Sequence, residues 1–251
     1  MPTRLDELSY AFVYVFTVIG FVFIYFTLGF SSEYLVTRVL PARGQGAALS
    51  QRALAPGQKR SEIVSSLRSI SLFGGYGVFT LFGWRHGLWG IAPATPVRVW
   101  LELVLLVLWN ELHFYVIHRA LHVGPLFRWV HREHHRAIRP TSWSTFAMHP
   151  LEAILLGSVM VTAMPFHAFS WLTLLSFPLV SLALNNIGHM NYDVLPGASD
   201  WHPLSGSRRH ELHHRRVHGN YGFMLPLLDR LFRTELTTSP PPTPPSSLPP
   251  H

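Results

Sequence analysis

Cysteine is absent from this chain of 251 residues. Its absence excludes disulfides, thiolate-ligated haem, iron–sulfur clusters and cysteine-type zinc sites in one step. Any metal must therefore be held by nitrogen and oxygen. Charge is also scarce: Asp, Glu, Lys and Arg make up 13% of the residues, against 48% hydrophobic. That is about half the charged share of a soluble domain, so a membrane protein is the first expectation. Lysine occurs once, at Lys59, and every other basic residue is arginine, which says nothing about mechanism. Histidine is the opposite case. Its 16 copies outnumber Asp and Glu together, at 13, and many sit at short, regular spacings of the kind that bind metal.

The apolar residues fall in blocks. Tyr10 to Phe30 is a run without a charge, of about 20 residues, long enough to cross a hydrocarbon core of roughly 30 Å. It is too long for a cleaved signal peptide and lacks a small-residue cleavage site. A second block runs from Ile70 to Trp84 and a third from Val99 to Val116, interrupted by Glu102 and Glu111; together they read as a hairpin. The block from Leu151 to Asn185, broken at Pro165, Phe166 and His167, predicts two short helices that cross or re-enter. Lys59 and most arginines lie in residues 38–68, 119–139 and 208–233. If each apolar block is a hairpin, these segments share one side, cytoplasmic by the positive-inside rule, with the amino terminus outside. The net charge of +7 then has a membrane explanation, and no nucleic-acid partner is expected. Residues 235–251, rich in proline, are expected to be disordered or polyproline-like.

Three histidine clusters stand beside these blocks. His118 and His122 are one helical turn apart, so both imidazoles could reach one ion. His131-Arg132-Glu133-His134-His135 and His210-Glu211-Leu212-His213-His214 repeat one pattern, His-x-x-His-His, which places i, i+3 and i+4 on one helical stripe. Eight imidazoles are too many for one first-row ion and suit two. Further donors are needed to fill two shells, and His189 and then His149 are the candidates. Asn185, four before His189, is a weaker oxygen donor. His113 reads as a packing or supporting residue, His218 stays undecided, and His86, His167, His202 and His251 have no partner at ligand spacing. Neutral ligands do not offset the charge of two divalent ions, so reduced iron is favoured and the oxidised centre should be strongly oxidising.

His210-Glu211-x-x-His214 also fits the zincin pattern, which would make Glu211 the general base of a zinc hydrolase. That reading leaves the clusters at 118–122 and 131–135 without a task. A metal transporter is disfavoured because the histidines sit at span ends instead of mid-membrane.

With Tyr115-x-x-His118-Arg119-x-x-His122, His131-x-x-His134-His135, His149-Pro150-x-Glu152, His189, His210-x-x-His213-His214, Asn220-Tyr221-Gly222 and Asp229-Arg230-Leu231-Phe232, the chain resembles the fatty acid hydroxylase superfamily over about residues 58–234. It looks most like the sterol C5-desaturase (lathosterol oxidase) branch, through Glu62-Ile63, the serines near it and Ser205-Gly206-Ser207. The resemblance implies an all-α, polytopic membrane protein, about four to five membrane helices carrying a cytoplasmic, histidine-rich helical cap. It also implies two iron ions, O2 as oxidant, electrons from cytochrome b5 or a ferredoxin with its reductase, and a membrane lipid substrate. Sterol is favoured over fatty acyl, carotenoid or alkyl lipids. Residues 58–234 would form the catalytic domain and residues 1–57 a membrane helix with a basic loop. Where the sphingolipid hydroxylases carry a further histidine, this chain has Asn185, which leaves His149 as first choice for the tenth ligand.

Overall fold

The computed structural model describes residues 6–236; the proline-rich segment from residue 237 onward lies outside them. Helices dominate. The first, α1, spans Tyr10–Tyr34 and starts where the Ser9 side chain accepts from the Phe12 backbone N–H, satisfying one of the open donors of the first turn. It continues through a π turn, Leu35–Val39, and a last turn, α2, Leu40–Ala42. A two-residue strand β1 (Ala47–Ala48) follows, then α3 (Gln58–Arg85) and α4 (Pro96–Leu121). Thr95 caps α4, and Pro96 occupies a first-turn position that needs no N–H. Short helices α5 (Gly124–Trp129), α6 (Pro150–Gly157) and α7 (Val159–Ala163) lead to α8 (Trp171–His189). Strand β2 (Tyr192–Asp193) pairs antiparallel with β1, and α9 (Gly206–Arg216) and α10 (Leu227–Leu231) complete the described chain.

Three helical stretches are long and apolar enough to cross a membrane: Tyr10–Ala42, Pro96–Leu121 and Trp171–His189. Their outward faces are apolar and unpartnered, as at Phe23, 71% exposed, and Trp100, 66% exposed. Soluble proteins seldom leave so much contiguous apolar surface in water, and the chain is an integral membrane protein. Helix α3 has the length for a crossing, about 42 Å at 1.5 Å per residue, but its serines, glycines and arginines make it less apolar. The block after residue 150 differs from the two short helices expected. The interruption at residues 165–167 falls early enough to leave α8 a full 19 residues, and Pro178 is accommodated inside it.

Contacts fix the relative direction of the helices. Ser32 near the end of α1 bonds Asn186 near the end of α8, and Gln58 at the start of α3 donates to the Arg139 carbonyl at 2.9 Å. At the other end, Arg85 bonds the Leu8 carbonyl at 2.6 Å and Arg98 the Ala168 carbonyl at 2.6 Å. The carboxyl ends of α1, α4 and α8 and the start of α3 therefore share one end of the molecule. Between them lies a strap, residues 141–148, whose Trp143 is held from every side. Its carbonyl accepts from Tyr25 at 2.8 Å and Ser66 at 3.1 Å, and its indole N–H donates to Glu33 at 2.6 Å. Its ring lies on Gly29, where a Cβ would stand 2.6 Å from Trp143 Cζ3, so only glycine admits the contact. This packing ties α1 directly to the strap, and through it to the histidine-bearing end of the molecule.

Candidate metal centre

At this shared end nine histidines form two groups, each with its donor atoms within 4.8 Å of one another. One group is His118, His122, His131, His135 and His213; the other is His134, His189, His210 and His214. His118 and His189 come from the last turns of α4 and α8, and His122 caps α4. His210, His213 and His214 lie on α9, and the 131–135 cluster lies on a 3-10 turn, His131–Arg136, instead of the α-helix expected.

The repeated His-x-x-His-His pattern does not serve one ion per motif. In the 131–135 cluster, positions i and i+3 stack nearly parallel, 5.5 Å apart at 25°, whereas i and i+4 stand 4.7 Å apart at 76°. The 210–214 cluster repeats this: 5.7 Å at 19° for i and i+3, and 4.6 Å at 75° for i and i+4. The in-plane lone pairs of stacked rings lie in nearly parallel planes and do not meet at one ion, whereas those of steeply tilted neighbours can. So His131 and His135 join one group while His134 enters the other, and His210 and His214 join the second group while His213 enters the first. Each motif gives two ligands to one group and one to its neighbour.

The donor chemistry fits metal. Beside His131, whose Nδ1 lies 2.8 Å from Glu152 Oε1, four imidazoles direct Nδ1 at backbone carbonyls, which can only accept: His118 at Tyr221 (2.9 Å), His134 at Ala147 (3.2 Å), His189 at Asn185 (2.9 Å) and His213 at Gly219 (2.7 Å). Their Nδ1 atoms must carry the proton, which leaves Nε2 a bare lone pair turned inward. With Glu152 ionised and accepting from His131 Nδ1, His118 Nε2 and His131 Nε2 face each other at 3.1 Å without a proton to share. Such a contact is repulsive unless a cation lies between. Adjacent donors on an octahedron with metal–nitrogen bonds of roughly 2.1 Å stand about 3.0 Å apart, close to the 3.0 and 3.1 Å of the His214–His210 and His210–His189 contacts. Burial keeps the rings neutral and ready to bind. It pushes His131 down to about 3 and, with His131 and His134 adding repulsion, His122 also to about 3. His134, His135, His210, His213 and His214 are held below the ordinary histidine range, chiefly by burial.

His149 does not enter either group. Its Nδ1 accepts from the Leu151 N–H at 3.2 Å, so it caps α6, the role a polar side chain ahead of Pro150 readily takes. Asn185 offers only its backbone carbonyl, to His189, and its side-chain amide turns to the Thr145 carbonyl at 3.4 Å. His113 Nε2 meets Ser158 Oγ at 3.0 Å, His167 meets Glu102 at 3.0 Å, and His202 caps the turn at Leu204. His218 is exposed and lines a surface groove with His122, Phe127, Arg128, Val217 and Tyr221. That groove reaches the edge of the five-histidine group.

Glu152, in the His149-Pro150-x-Glu152 element, is a further candidate that histidine spacing alone does not single out. It is 1% exposed, and one oxygen orients His131. A carboxylate behind a metal-bound imidazole fixes its tautomer and raises its basicity. Glu152→Leu is therefore expected to weaken binding to the five-histidine group by roughly 10–100-fold, as read by metal titration, with helical content unchanged by circular dichroism.

Comparison with known proteins places this arrangement. The family model described as fatty acid hydroxylase matches residues 103–234. The chain is 30% identical to a Delta(7)-sterol 5(6)-desaturase of Gibberella zeae over 130 residues, covering 49% of this chain and 38% of that protein. It is 30% identical to methylsterol monooxygenase 1 of Danio rerio over 128 residues, covering 48% and 42%. A Delta(7)-sterol 5(6)-desaturase of Eremothecium gossypii is 27% identical over 157 residues, covering 60% and 42%. The chain thus spans less than half the length of these curated relatives. No solved structure matches it. On the matched segment, which holds all nine clustered histidines, the chain belongs to the fatty acid hydroxylase family.

Proposed function

We propose that this chain is an O2-dependent, di-iron lipid desaturase or hydroxylase, with a sterol C–H bond as the favoured target. The observation that carries the reading is the pair of convergent imidazole groups at the ends of membrane helices, with Nδ1 protons directed outward and Nε2 lone pairs inward. The named relatives, sterol desaturases and a methylsterol monooxygenase, favour sterol over fatty acyl, carotenoid or alkyl lipids.

Two bound iron ions would supply the redox chemistry by which O2 attacks an unactivated C–H bond. The protein's part is binding, orientation and exclusion of water. His118, His122, His131, His135 and His213 would hold one ion, and His134, His189, His210 and His214 the other. Glu152 and the carbonyls of Ala147, Asn185, Gly219 and Tyr221 fix the rings. Burial of His118, His131, His189, His213 and His214 to 2% exposure or less keeps bulk water from the donor atoms. Desaturation and hydroxylation differ in whether a second hydrogen leaves before oxygen is transferred, which substrate placement decides. The reading includes residues 58–234 as the catalytic domain, the histidine end facing the cytoplasm, and electrons from a carrier such as cytochrome b5 or a ferredoxin with its reductase.

The zinc-hydrolase reading of His210-Glu211-x-x-His214 loses support in the geometry. His134 and His189 complete the same group, and four imidazoles would close a tetrahedral zinc shell that a hydrolase must leave open for water. Glu211 instead faces Arg215 at 3.6 Å.

Two measurements test the proposal. Purified chain should hold about two irons. A strain lacking the gene should accumulate a lipid precursor that the native chain removes and the His213→Ala chain does not. One zinc per chain, or identical lipid profiles in all three strains, would overturn it.

A further inference from the structure

Two fully buried ligands of the five-histidine group, His118 and His213, lean on a single loop. His213 Nδ1 donates to the Gly219 carbonyl and His118 Nδ1 to the Tyr221 carbonyl. The loop is bent to present them: Val217, Gly219 and Asn220 all have φ in the left-handed region, at 67°, 76° and 52°. Val217 and Asn220 carry a Cβ, so this backbone is strained and needs to be held by something outside itself.

Two buried carboxylates do so. Asp229, 1% exposed, accepts the Tyr221 N–H on Oδ1 and the Gly222 N–H on Oδ2, each at 2.8 Å. A side chain at Gly222 would collide with Asp229 Oδ2 at 2.8 Å, so the approach depends on glycine. Glu111, from the middle of α4, accepts the Met224 N–H at 2.9 Å and the Leu225 N–H at 3.3 Å. Thr234 donates to Asp229 Oδ1 at 2.7 Å, and its hydroxyl meets that of Tyr115 at 3.0 Å. Arg209, itself buried, interacts electrostatically with both carboxylates. Neither carboxylate is hydrogen-bonded to a ring of the four-histidine group among the described residues. There, His134 leans on Ala147 in the strap and His189 on Asn185 in its own helix.

We propose that Glu111 and Asp229 are positioning residues which clamp residues 219–225 as a rack of carbonyls, aiming His118 and His213 at one of the two ions and leaving the other untouched. This inference rests on the metal-binding part of the proposed function and on no particular substrate. Each carboxylate accepts two backbone N–H groups. An amide in its place would turn an N–H toward one of them, so Glu111→Gln and Asp229→Asn each break one arm of the clamp while keeping size and shape.

The test is cobalt(II) titration of the full chain in detergent, followed by visible spectroscopy and metal analysis. The native chain is expected to show two sites. Asp229→Asn and Glu111→Gln should weaken one of them by roughly 10–100-fold and leave the other unchanged. Adding His213→Ala to Asp229→Asn should cost no further site, whereas adding His210→Ala should remove the second. Thr234→Val, which keeps both carboxylates, is the milder variant should Asp229→Asn not accumulate in folded form; it should weaken the same site. Two sites with native affinities in these variants would overturn the clamp. So would equal loss of both sites with a lowered melting temperature, the signature of a merely structural role, or a native chain that binds no cobalt. Selective cobalt loss in a chain that oxidises no lipid would uphold the clamp and sink the oxygenase reading.

Discussion

His213→Ala is expected to bind about one metal ion instead of two and to lose lipid oxidation entirely. His213 is fully buried, contributes to the five-histidine group from the motif whose other members serve the second group, and stands 3.1 Å from His135, Nε2 to Nε2. Its loss leaves His118, His122, His131 and His135 without their α9 partner, and His210 and His214 are committed to the second group. His210→Ala should give the complementary result, one metal retained in the five-histidine group, with activity equally absent if both ions are needed for the reaction. Metal analysis on both variants, with the lipid profile as activity readout, decides the matter. Loss of both ions in either variant would show that the groups fill only together.

The second large effect is on stability. Trp143→Ala is expected to lower the unfolding free energy by about 3–5 kcal/mol, measured as a fall in melting temperature in detergent. The indole is 3% exposed and packed edge-on against Phe30 at 4.8 Å and Tyr25 at 5.8 Å. Its removal leaves a cavity beneath the strap and strands Glu33 without the indole donor. The strap also carries the Ala147 carbonyl that orients His134, so weaker metal binding should follow in the four-histidine group before the five-histidine one. A melting temperature within a degree or two of the native chain would show that α1 and the strap are not coupled as their packing indicates.

Much of the site could be read from the sequence because its residues signal themselves through spacing. His118, His122, His131, His134, His135, His210, His213 and His214 stand at intervals that only helical or 3-10 turns bring together, and His189 followed from the need for more donors. The division of labour could not be read. Whether i+3 or i+4 shares an ion with i depends on ring tilt, and spacing is silent about tilt. His149 failed for a related reason: a histidine before a proline at a helix start satisfies a backbone N–H as readily as a metal, and only the direction of Nδ1 distinguishes the two. Glu111 and Asp229 read in sequence as an interruption of an apolar span and as part of a terminal motif. Their partners are backbone N–H groups, which leave no trace in side-chain patterns. The fold was legible where apolar runs were long, as at Tyr10 to Phe30. It was less so in α3, where serine and glycine blur the run while helix packing still demands it.

Helix α4 carries exposed apolar surface almost to its histidine-bearing end. Val116 is 57% exposed on the outer face, and His118, 1% exposed, follows two residues later, an axial step of about 3 Å. On the proposed function, a carbon chain or ring lying in the leaflet beside Val116 would need only a short axial excursion to reach the histidine groups. A lipid whose reactive carbon lies near the headgroup plane would then be within range, and one whose reactive carbon is buried toward the bilayer midplane would not.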